Sequence, residues 1–335
     1  MPPQHTIRKT IRFPTGSLAE HDAATGAGEP CAECPGRAAD RASGYVGGRL
    51  IPLLERQPVV LRCLARNPDK LRPLVGTSTQ VVRGDVLDAP SLDESLHGVH
   101  TAYYLVHLMS NSTDFEKDDK QAATNFAQAA KKAGVRRIVY LGGLGDDTDP
   151  TLSPHLRSRH DVGKILRASG VETIEFRAGM IVGAGSLSYQ LMKSLTDRLP
   201  VMICPRWLTT ATQPIAVDDV LAYLLAAIEL PAGESRIFEI GGTEVVTYAD
   251  LIREYARQKG LRRWLIFVPI LTPYLSGLWL ALVTPAAYEV GRHLIEGLKN
   301  PTVGPGQEGA GGLLSSPDGS ERSHSEGHRQ HDRMS

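Results

Sequence analysis

The sequence has no excess of charge of either sign. Lysine and arginine number 37 and aspartate and glutamate also number 37, so the formal net charge of the 335 residues is zero. A chain without a charge excess has no general attraction to nucleic acid or to an anionic surface, and we expect no nucleic acid among its partners. The opening stretch MPPQHTIRKT lacks the apolar core of a secretory signal, which favours a cytoplasmic location.

Cysteine is scarce, and its spacing argues against a metal site. Only Cys31 and Cys34 are close in sequence, as C-A-E-C, and no second pair accompanies them. A structural zinc site needs four ligands at matched spacing. A redox C-x-x-C belongs at the start of a helix after a strand, whereas this pair lies among glycine and proline. We therefore predict no metal ion and reduced cysteines.

Charged residues are absent from one long run, Trp264 to Tyr288. The run is long enough to span a membrane, but Pro269, Pro273 and Pro285 interrupt it. Because proline removes backbone donors and breaks a helix, a buried strand, loop and helix explain the run better than a spanning helix. Membrane contact through this run is the alternative.

The two ends of the chain differ from its middle. Residues 1–42 are rich in glycine, alanine, proline and charge, and only residues 5–13 alternate weakly, as a strand does. Residues 301–335 are polar and poor in apolar side chains, which is typical of a disordered tail. Residues 43–300 carry dense periodic patterns, and we expect the folded part of the chain there.

Strands and helices alternate in this middle part. The predicted strands are 58–65, 80–86, 99–106, 137–141 and 171–182, and the predicted helices are 44–57, 69–74, 91–97, 155–168 and one from the capping box of Thr113 and Glu116 to Gly134. This alternation predicts an α/β fold with a doubly wound parallel sheet covered on both faces. After Gly183 the helices near 186–199, 218–230 and 247–259 predict a small C-terminal α+β lobe over the carboxyl ends of the strands.

A glycine-containing turn opens the first predicted helix. Gly44, Tyr45, Val46 and Gly47 enter an amphipathic helix, and a helix N-terminus offers N–H groups and a positive dipole end to a phosphate. A single G-x-x-G is weak evidence, because a plain loop entering a helix gives the same pattern. The elements that follow favour a dinucleotide site.

Two residues that follow the next two predicted strands indicate how a nucleotide would be bound. The strand 58–65 ends without an acid and is followed by Arg66. An arginine there accommodates the 2′-phosphate of NADP, whereas an acid would bind the ribose of NAD; a solvated basic loop is the alternative. Asp85, with Val86 beside it, follows the strand after that, where its carboxylate can reach the adenine amine or cap the following turn.

Several long runs resemble a known family. They include TAYYLVHLM, DFEKDDKQAATNFAQAAKKAGVRRIVYLGGLG, LSPHLRSRHDVGKILRASGVETIEFRAGMIVGAGS and PIAVDDVLAYLLAAIE. Over about residues 43–300 the chain resembles the atypical short-chain dehydrogenase/reductases, and among them the NmrA-like, NAD(P)H-binding bacterial proteins. The resemblance implies a Rossmann-type sheet, a nicotinamide dinucleotide (NADP or NAD) bound by residues 43–183, and a substrate-side lobe at 184–300.

The start of this region departs from the family's pattern. The family's turn reads T-G-A-T-G-Y-V-G and matches here from Ser43 to Gly47, but Arg41 replaces the first glycine and the apolar strand before it is absent. The missing strand would be central, and its loss leaves backbone groups unpaired at about 1–3 kcal/mol each. Residues 5–13 could fill the position only after a long excursion. We therefore hypothesise that residues 1–42 do not come from the original reading frame, which translation of the upstream DNA in the other frames would test.

The catalytic set usual in the family also differs. Many members use a serine after the fifth strand and Tyr-x-x-x-Lys on the next helix. The corresponding positions here resemble Gly142 or Gly143 and His155-x-x-x-Arg159. Histidine can transfer protons near neutral pH and Arg159 can hold a ribose hydroxyl, so both are candidate catalytic residues. A solvated helix face is the alternative.

Tyr104 and His107 complete the candidate catalytic residues. They lie at the end of the predicted strand 99–106, where the resemblance places the nicotinamide. A packing role is the alternative. The leading hypothesis is an NADP-dependent oxidoreductase of an unknown small-molecule substrate. Two alternatives stay open: a non-catalytic dinucleotide-binding redox sensor, favoured by the absent serine, tyrosine and lysine, and a membrane-associated accessory protein that uses the 264–288 run.

Overall fold

The computed structural model describes residues 44–108, 115–268 and 300–304. The expectations for residues 1–42, for Ser43 and for the capping residue Thr113 lie outside the described residues. So do those for residues 269–288 of the apolar run and for residues 305–335.

The helices of the described chain lie where the apolar period predicts them. They are α1 (Tyr45–Leu54), α2 (Pro68–Leu71), α3 (Ala89–Leu96), α4 (Phe115–Lys132), α5 (Pro154–Ala168), α6 (Leu187–Arg198), α7 (Val217–Ala226) and α8 (Tyr248–Gln258). Gly134 and Gly170, the predicted stops after α4 and α5, have φ of 72° and 86°. Glycine adopts this left-handed conformation without steric cost, so both predicted helix ends are confirmed.

The strands build a parallel sheet and several smaller pairs. They are β1 (Arg62–Ala65), β2 (Gln80–Arg83), β3 (Thr101–Tyr104), β4 (Arg137–Gly143), β5 (Glu172–Ala178), β6 (Ile181–Val182), β7 (Val201–Pro205), β8 (Ala211–Thr212), β9 (Ile215–Ala216), β10 (Arg236–Ile240), β11 (Val246–Thr247) and β12 (Trp264–Val268). The largest sheet has the order β10-β5-β4-β3, with every pair parallel. A separate pair, β1-β2, is parallel as well. Parallel strands joined by helices confirm the α/β Rossmann-type prediction.

The sheet is interrupted between β1 and β3. Among the described strands, β1 pairs only with β2, and β3 pairs only with β4. In a Rossmann-type sheet the strand before the first helix occupies the position between them. The residues that would form that strand come before Gly44 and lie outside the described residues, so a missing or replaced first strand stays a prediction.

Helices on both faces pack against the β1-β2 pair and against the four-stranded sheet, which are the two half-sheets of the fold. On one face, Ile51 of α1 packs with Cys63 of β1, and Leu50 of the same helix packs with Val139 of β4. On the other face, α3 and α4 pack on β3 and β4 in a cluster that also takes in Leu64 of β1. The helices therefore span the interruption and fix the distance between the half-sheets.

The smaller lobe contains α6 and α8, whose Tyr189, Leu251 and Tyr255 share one apolar cluster. It also contains β12, the first part of the apolar run, which pairs with β7 in parallel. Trp264 of β12 is 71% exposed, so the expectation of a buried strand is wrong here, because β12 lies in a two-stranded sheet with an uncovered face. Within the described residues, no helix has the length and apolar character needed to cross a membrane.

Residues 300–304 belong to the fold. Thr302 forms a parallel bridge with Thr212, and the N–H of Gln213 donates to the carbonyl of Thr302 at 2.9 Å. Asn300 Oδ1 accepts from the N–H of Ser153 at 2.9 Å. The expected disordered tail is therefore wrong for residues 301–304, because this segment finds backbone partners on the lobe.

Candidate functional site

Most of the predicted site residues lie along one edge of the fold, where the parallel strands end. Arg66 follows β1, Asp85 follows β2, and His107 follows β3. The first turn of α1 lies at the same edge, since Tyr45 packs on the loop after β6. Open parallel sheets bind their ligands at this edge. The structure therefore brings these predicted residues into one region, as the sequence prediction requires.

The N-terminus of α1 is fixed against the loop that follows β6. A Cβ atom on Gly183 would overlap the hydroxyl of Tyr45, so only glycine admits the tyrosine there. Arg49 lies over the Tyr45 ring at 5.0 Å and donates to the carbonyl of Ala184 at 2.6 Å. Burial raises the pKa of Tyr45. These contacts make Tyr45 an anchor for the helix end.

The other residues of the turn are compatible with a phosphate at the N-terminus of α1. Gly44 is extended, with φ −68° and ψ 163°, and its carbonyl accepts from the N–H of Gly48 at 2.7 Å. Val46 packs toward the cluster that includes α7, and Gly47 is buried. The first N–H groups of an α-helix have no acceptor within the helix, so they can serve a pyrophosphate.

Arg66 is exposed at the end of β1. Arg62, the other arginine of this strand, is held away from the site, because its Nη1 donates to the carbonyls of Ser95 and His97 at 3.1 and 2.8 Å. Arg66 is therefore the candidate for contact with a 2′-phosphate.

Asp85 and Val86 have local roles in the structure. Asp85 Oδ1 accepts from the N–H of Leu87 at 3.0 Å, which caps the following turn, the second of the two predicted alternatives. Val86 is buried, and its carbonyl accepts from Asn125 Nδ2 at 3.0 Å. Contact of Asp85 with adenine stays a prediction.

His107 and His155 meet through their imidazole rings. His107 Nε2 lies 3.1 Å from His155 Nδ1, and the ring centroids are 4.7 Å apart in an edge-on arrangement. On its other side, His107 Nδ1 lies 3.4 Å from Asp119 Oδ2. The contacts form a chain from Asp119 through His107 to His155, which connects α4, the end of β3 and the first turn of α5.

Asp119 is ionised and acts as the acceptor in this chain. Its side chain is only 2% exposed, and burial raises its pKa. Hydrogen bonds from His107, the N–H of Leu108 and Ser158, together with the charge of His107, lower that pKa by more, so it lies below its ordinary value. When His107 is neutral, the ionised carboxylate favours its proton on Nδ1, and Nε2 of His107 can then accept from His155 Nδ1–H. The remaining nitrogen of the pair is His155 Nε2, and its role in proton transfer stays a prediction.

Asp119 is not among the site residues predicted from the sequence. In sequence it stands in the charged run FEKDDK at the start of α4, which resembles a solvated helix face. The only signal available was its position one helical turn beyond Phe115, on the face where Ala122 and Phe126 are buried. The structure shows that this face carries a carboxylate into the interior.

Arg159 and Tyr104 do not join the histidines. Arg159 Nη2 donates to the carbonyl of Leu141, and its guanidinium lies 5.5 Å from the centre of the Tyr140 ring. Tyr104 is 1% exposed, and its ring centroid lies 4.8 Å from that of Phe126. Both side chains pack against the core, so a role in catalysis remains a prediction for each.

Close packing of α5 on β4 favours glycine at Gly143, one of the two positions that resemble the family's serine. A Cβ atom on Gly143 would lie 2.9 Å from Leu156 Cδ2, which is too short for an ordinary contact. The same end of α5 is held by Ser153, whose Oγ caps the N–H of Leu156 at 3.4 Å and whose N–H is bound by Asn300. This arrangement fixes the first turn of α5, and with it His155.

The fold and this edge define a class of protein. Helices cover both faces of a parallel sheet, a helix N-terminus lies at the carboxyl edge, and Arg66 and the histidine pair lie along that edge. This is the class of α/β dinucleotide-binding proteins. Residues 42–206 match the family described as NAD(P)H-binding. These residues therefore resemble an NAD(P)H-binding domain, and the parallel sheet with helices on both faces agrees with that resemblance.

Known proteins that the chain resembles agree with this fold. The Photosystem II assembly factor Ycf39 of Cyanophora paradoxa is 24% identical over 68% of this chain and 70% of its own length. Among solved structures, a Citrobacter sp. triphenylmethane reductase complexed with NADP(H) has 16% identity and a TM-score of 0.65, over 82% of this chain and 94% of its own. The NADPH-dependent quinone oxidoreductase QOR2 of Escherichia coli has 21% identity and a TM-score of 0.59, over 79% and 95% of the two chains. At these identities the structures show the fold.

Proposed function

We propose that this protein is an NADP(H)-dependent oxidoreductase that reduces a small apolar molecule. The observation that carries the proposal is the chain from Asp119 through His107 to His155 at the carboxyl edge of the sheet. It supplies an acid–base group at the helix position that resembles the tyrosine of related dehydrogenases. Arg66, together with the lack of an acid at the end of β1, supports NADP over NAD.

The residues of the chain have separate roles in this proposal. The N–H groups at the start of α1 bind the pyrophosphate, and Arg66 binds the 2′-phosphate. A bound nicotinamide supplies the hydride. Reduction of a polar double bond also needs a proton at the atom that gains negative charge. The imidazolium form of His155, with protons on both ring nitrogens, would donate the proton of Nε2 and return to the neutral form.

His107 and Asp119 support His155 in this step. Because His107 Nε2 accepts from His155 Nδ1–H, the imidazole of His155 is held in one orientation. The carboxylate of Asp119 stabilises positive charge on the histidine pair, as the aspartate of a hydrolase triad does.

The proposed substrate class is based on two structural relatives and on apolar side chains of the smaller lobe. The triphenylmethane reductase and the quinone oxidoreductase among the structural relatives are named for conjugated hydride acceptors with large apolar ring surfaces. The lobe brings Tyr189 and Met192 of α6 into an apolar cluster beside the strand ends. We extend the class of conjugated apolar acceptors to this chain on these grounds.

Consumption of NADPH in the presence of quinones and triphenylmethane dyes tests the proposal. With a quinone, whose reduction takes up a proton as well as a hydride, we expect turnover by the unmodified protein and a fall in kcat of about 10²–10⁴-fold for His155→Gln. A triphenylmethane dye takes up a hydride alone, so its reduction should depend much less on His155. His97→Gln is the matched control, because His97 is an exposed histidine outside the site, and its kcat should stay within about twofold. Equal kcat for His155→Gln and the unmodified protein would remove His155 from the mechanism.

A non-catalytic dinucleotide sensor is the second candidate. It is favoured by Gly143 and Arg159, which stand where the family's serine and lysine are expected, and by the assembly-factor relative. It requires NADPH binding without turnover of any acceptor. The same assay, combined with direct titration of NADPH, separates the two functions.

A further inference from the structure

Residues 300–304 connect the smaller lobe to the loop before α5. The N–H of Thr302 donates to the carbonyl of Ala211 at 3.1 Å, and the carbonyl of Thr302 accepts from the N–H of Gln213 at 2.9 Å. The hydroxyls of Thr302 and Thr212 lie 2.8 Å apart, and both residues are buried. These bonds hold the segment against β8, so the lobe fixes the position of the segment.

Asn300, at the start of this segment, holds the loop before α5 with its carboxamide. Its Oδ1 accepts from the N–H of Ser153 at 2.9 Å. Its Nδ2 donates to the carbonyl of Thr151 and to Asp149 Oδ2, at 3.2 Å each. Asn300 is buried, and the opposite orientation of its amide would set Oδ1 against two acceptors. The carboxamide therefore has one orientation, and that orientation binds the loop at three points.

The loop has internal hydrogen bonds that complement those of Asn300. Asp149 Oδ1 accepts from the hydroxyl of Thr151 at 2.6 Å and from its N–H at 2.8 Å. These bonds, and the weaker one from Asn300, lower the pKa of Asp149 below its usual value. Asp149 is therefore ionised at neutral pH and accepts from Asn300 as a carboxylate.

Ser153 connects the loop to the helix that carries His155. It is the N-cap of α5: its Oγ accepts from the N–H of Leu156 at 3.4 Å, and its carbonyl accepts from the N–H of Arg157 at 2.9 Å. Pro154 follows with its φ fixed by the ring, and His155 comes next. The backbone of His155 is therefore held by bonds on both sides of Ser153, one of them from Asn300.

The contact between His155 and His107 tolerates little movement of that backbone. Its 3.1 Å separation is near the upper limit of an ordinary hydrogen bond, and a displacement of about 1 Å would break it. Asp119 holds His107 from the other side. The alignment of the two rings therefore depends on where the first turn of α5 places His155.

We propose that Asn300 is a positioning residue for His155, through which the smaller lobe sets the orientation of this imidazole for proton transfer. Asn300 acts through the loop before α5 and the Ser153 cap, and it transfers no proton itself. The inference rests on the proposed function, in which His155 is the proton donor. Because the same lobe carries the apolar cluster proposed to contact the substrate, one segment connects the substrate side to the donor.

The ring nitrogens of His155 report on this role in the full chain, without nucleotide or substrate. With ¹⁵N-labelled histidine, long-range ¹H–¹⁵N spectra at about pH 8, where histidine is neutral, distinguish Nδ1–H from Nε2–H. Comparison with His155→Gln identifies the signal of His155. We expect Nδ1–H in the unmodified protein, held by His107, and a mixture of both tautomers in Asn300→Ala. The Nδ1–H form alone in Asn300→Ala, or a mixture in the unmodified protein, would overturn the proposal.

Two further variants separate positioning from loss of stability. Asn300→Asp keeps the shape of the side chain, but its carboxylate repels Asp149 and cannot donate to Thr151, so we expect the mixture of tautomers here too. If Asn300→Ala does not fold, this variant decides in its place. Thr173→Ala is the matched control, since it also truncates a buried side chain that donates to a backbone carbonyl, at the opposite edge of the sheet. A mixture of His155 tautomers in Thr173→Ala would show a general loss of packing and contradict the assignment.

Consumption of NADPH with a quinone gives the second readout. A misplaced proton donor slows the chemical step, so we expect kcat to fall about 10–100-fold in both Asn300 variants. The KM for NADPH should stay within about twofold, because the proposed nucleotide contacts lie at α1 and Arg66. A raised KM with unchanged kcat would contradict the positioning role. Absence of turnover by the unmodified protein would count against the oxidoreductase function alone, since the histidine spectra decide the role of Asn300 without any reaction.

Discussion

His107 Nε2 lies 3.1 Å from His155 Nδ1, so the end of β3 and the first turn of α5 share a contact that can carry a proton. Asp119, a buried carboxylate on the far side of His107, extends this contact into a chain of three ionisable side chains. Three elements of the sheet's carboxyl edge are thereby joined into one unit. The predictions below separate the roles of its members and of their surroundings.

Asp119→Asn should destabilise the protein in a pH-dependent way. The folded-state pKa of Asp119 lies below its ordinary value. Its contribution is therefore complete above the unfolded pKa of about 3.9 and is lost as pH falls through the lower folded pKa. At pH 7 we expect the variant to lose about 1–3 kcal/mol of unfolding free energy. Urea unfolding from pH 7 to pH 3 should show this difference shrinking below about pH 4, and a constant difference would contradict the assignment.

Arg66→Gln should lower the preference for NADPH. Removing a cation that contacts the 2′-phosphate weakens NADPH binding by about tenfold and leaves NADH binding within about twofold. Lys70→Gln is the control, because Lys70 is also an exposed cation just after β1. Titration of both nucleotides measures the effect. A parallel loss for NADPH and NADH would mean that Arg66 does not read the phosphate.

Arg137→Met should strongly destabilise the fold. Arg137 of β4 pairs with Glu172 of β5 at 2.8 Å, with side-chain exposures of 4% and 9%, and it donates to the carbonyl of Ala227 at 2.8 Å. The variant leaves Glu172 without its buried partner, which costs about 3–5 kcal/mol. Arg136→Met, at the exposed neighbouring position, should change stability by less than about 0.5 kcal/mol. Chemical unfolding of the two variants gives the comparison, and similar losses would show that the pair is not the cause.

Much of the fold follows from local signals in the sequence. Helices α4 and α5 could be predicted to within two residues at their C-termini, because Gly134 and Gly170 adopt the left-handed conformation that ends them. Strand limits were less accurate, since an apolar run continues beyond the residues that pair. Residues 171–182 form β5 and β6 rather than one strand, and a Cβ atom on Gly179, between them, would lie 3.1 Å from the carbonyl of Gln213.

The site was predicted less completely, because it depends on side-chain directions. His107 and His155 could be named from their positions after β3 and in α5, but their mutual contact depends on how the helix packs on the sheet. Arg159 turns toward the carbonyl of Leu141, which helical spacing does not reveal. The origin of residues 1–42 in another reading frame stays a prediction, as does the role of Ser43.

Titration of the full chain with NADPH and with NADH tests the central claim most directly. The fold, the N-terminus of α1 and Arg66 together predict saturable binding of both nucleotides, with NADPH bound at least tenfold more tightly. Tighter binding of NADH would contradict the role of Arg66, and absence of binding to either would contradict a functional dinucleotide site in this chain.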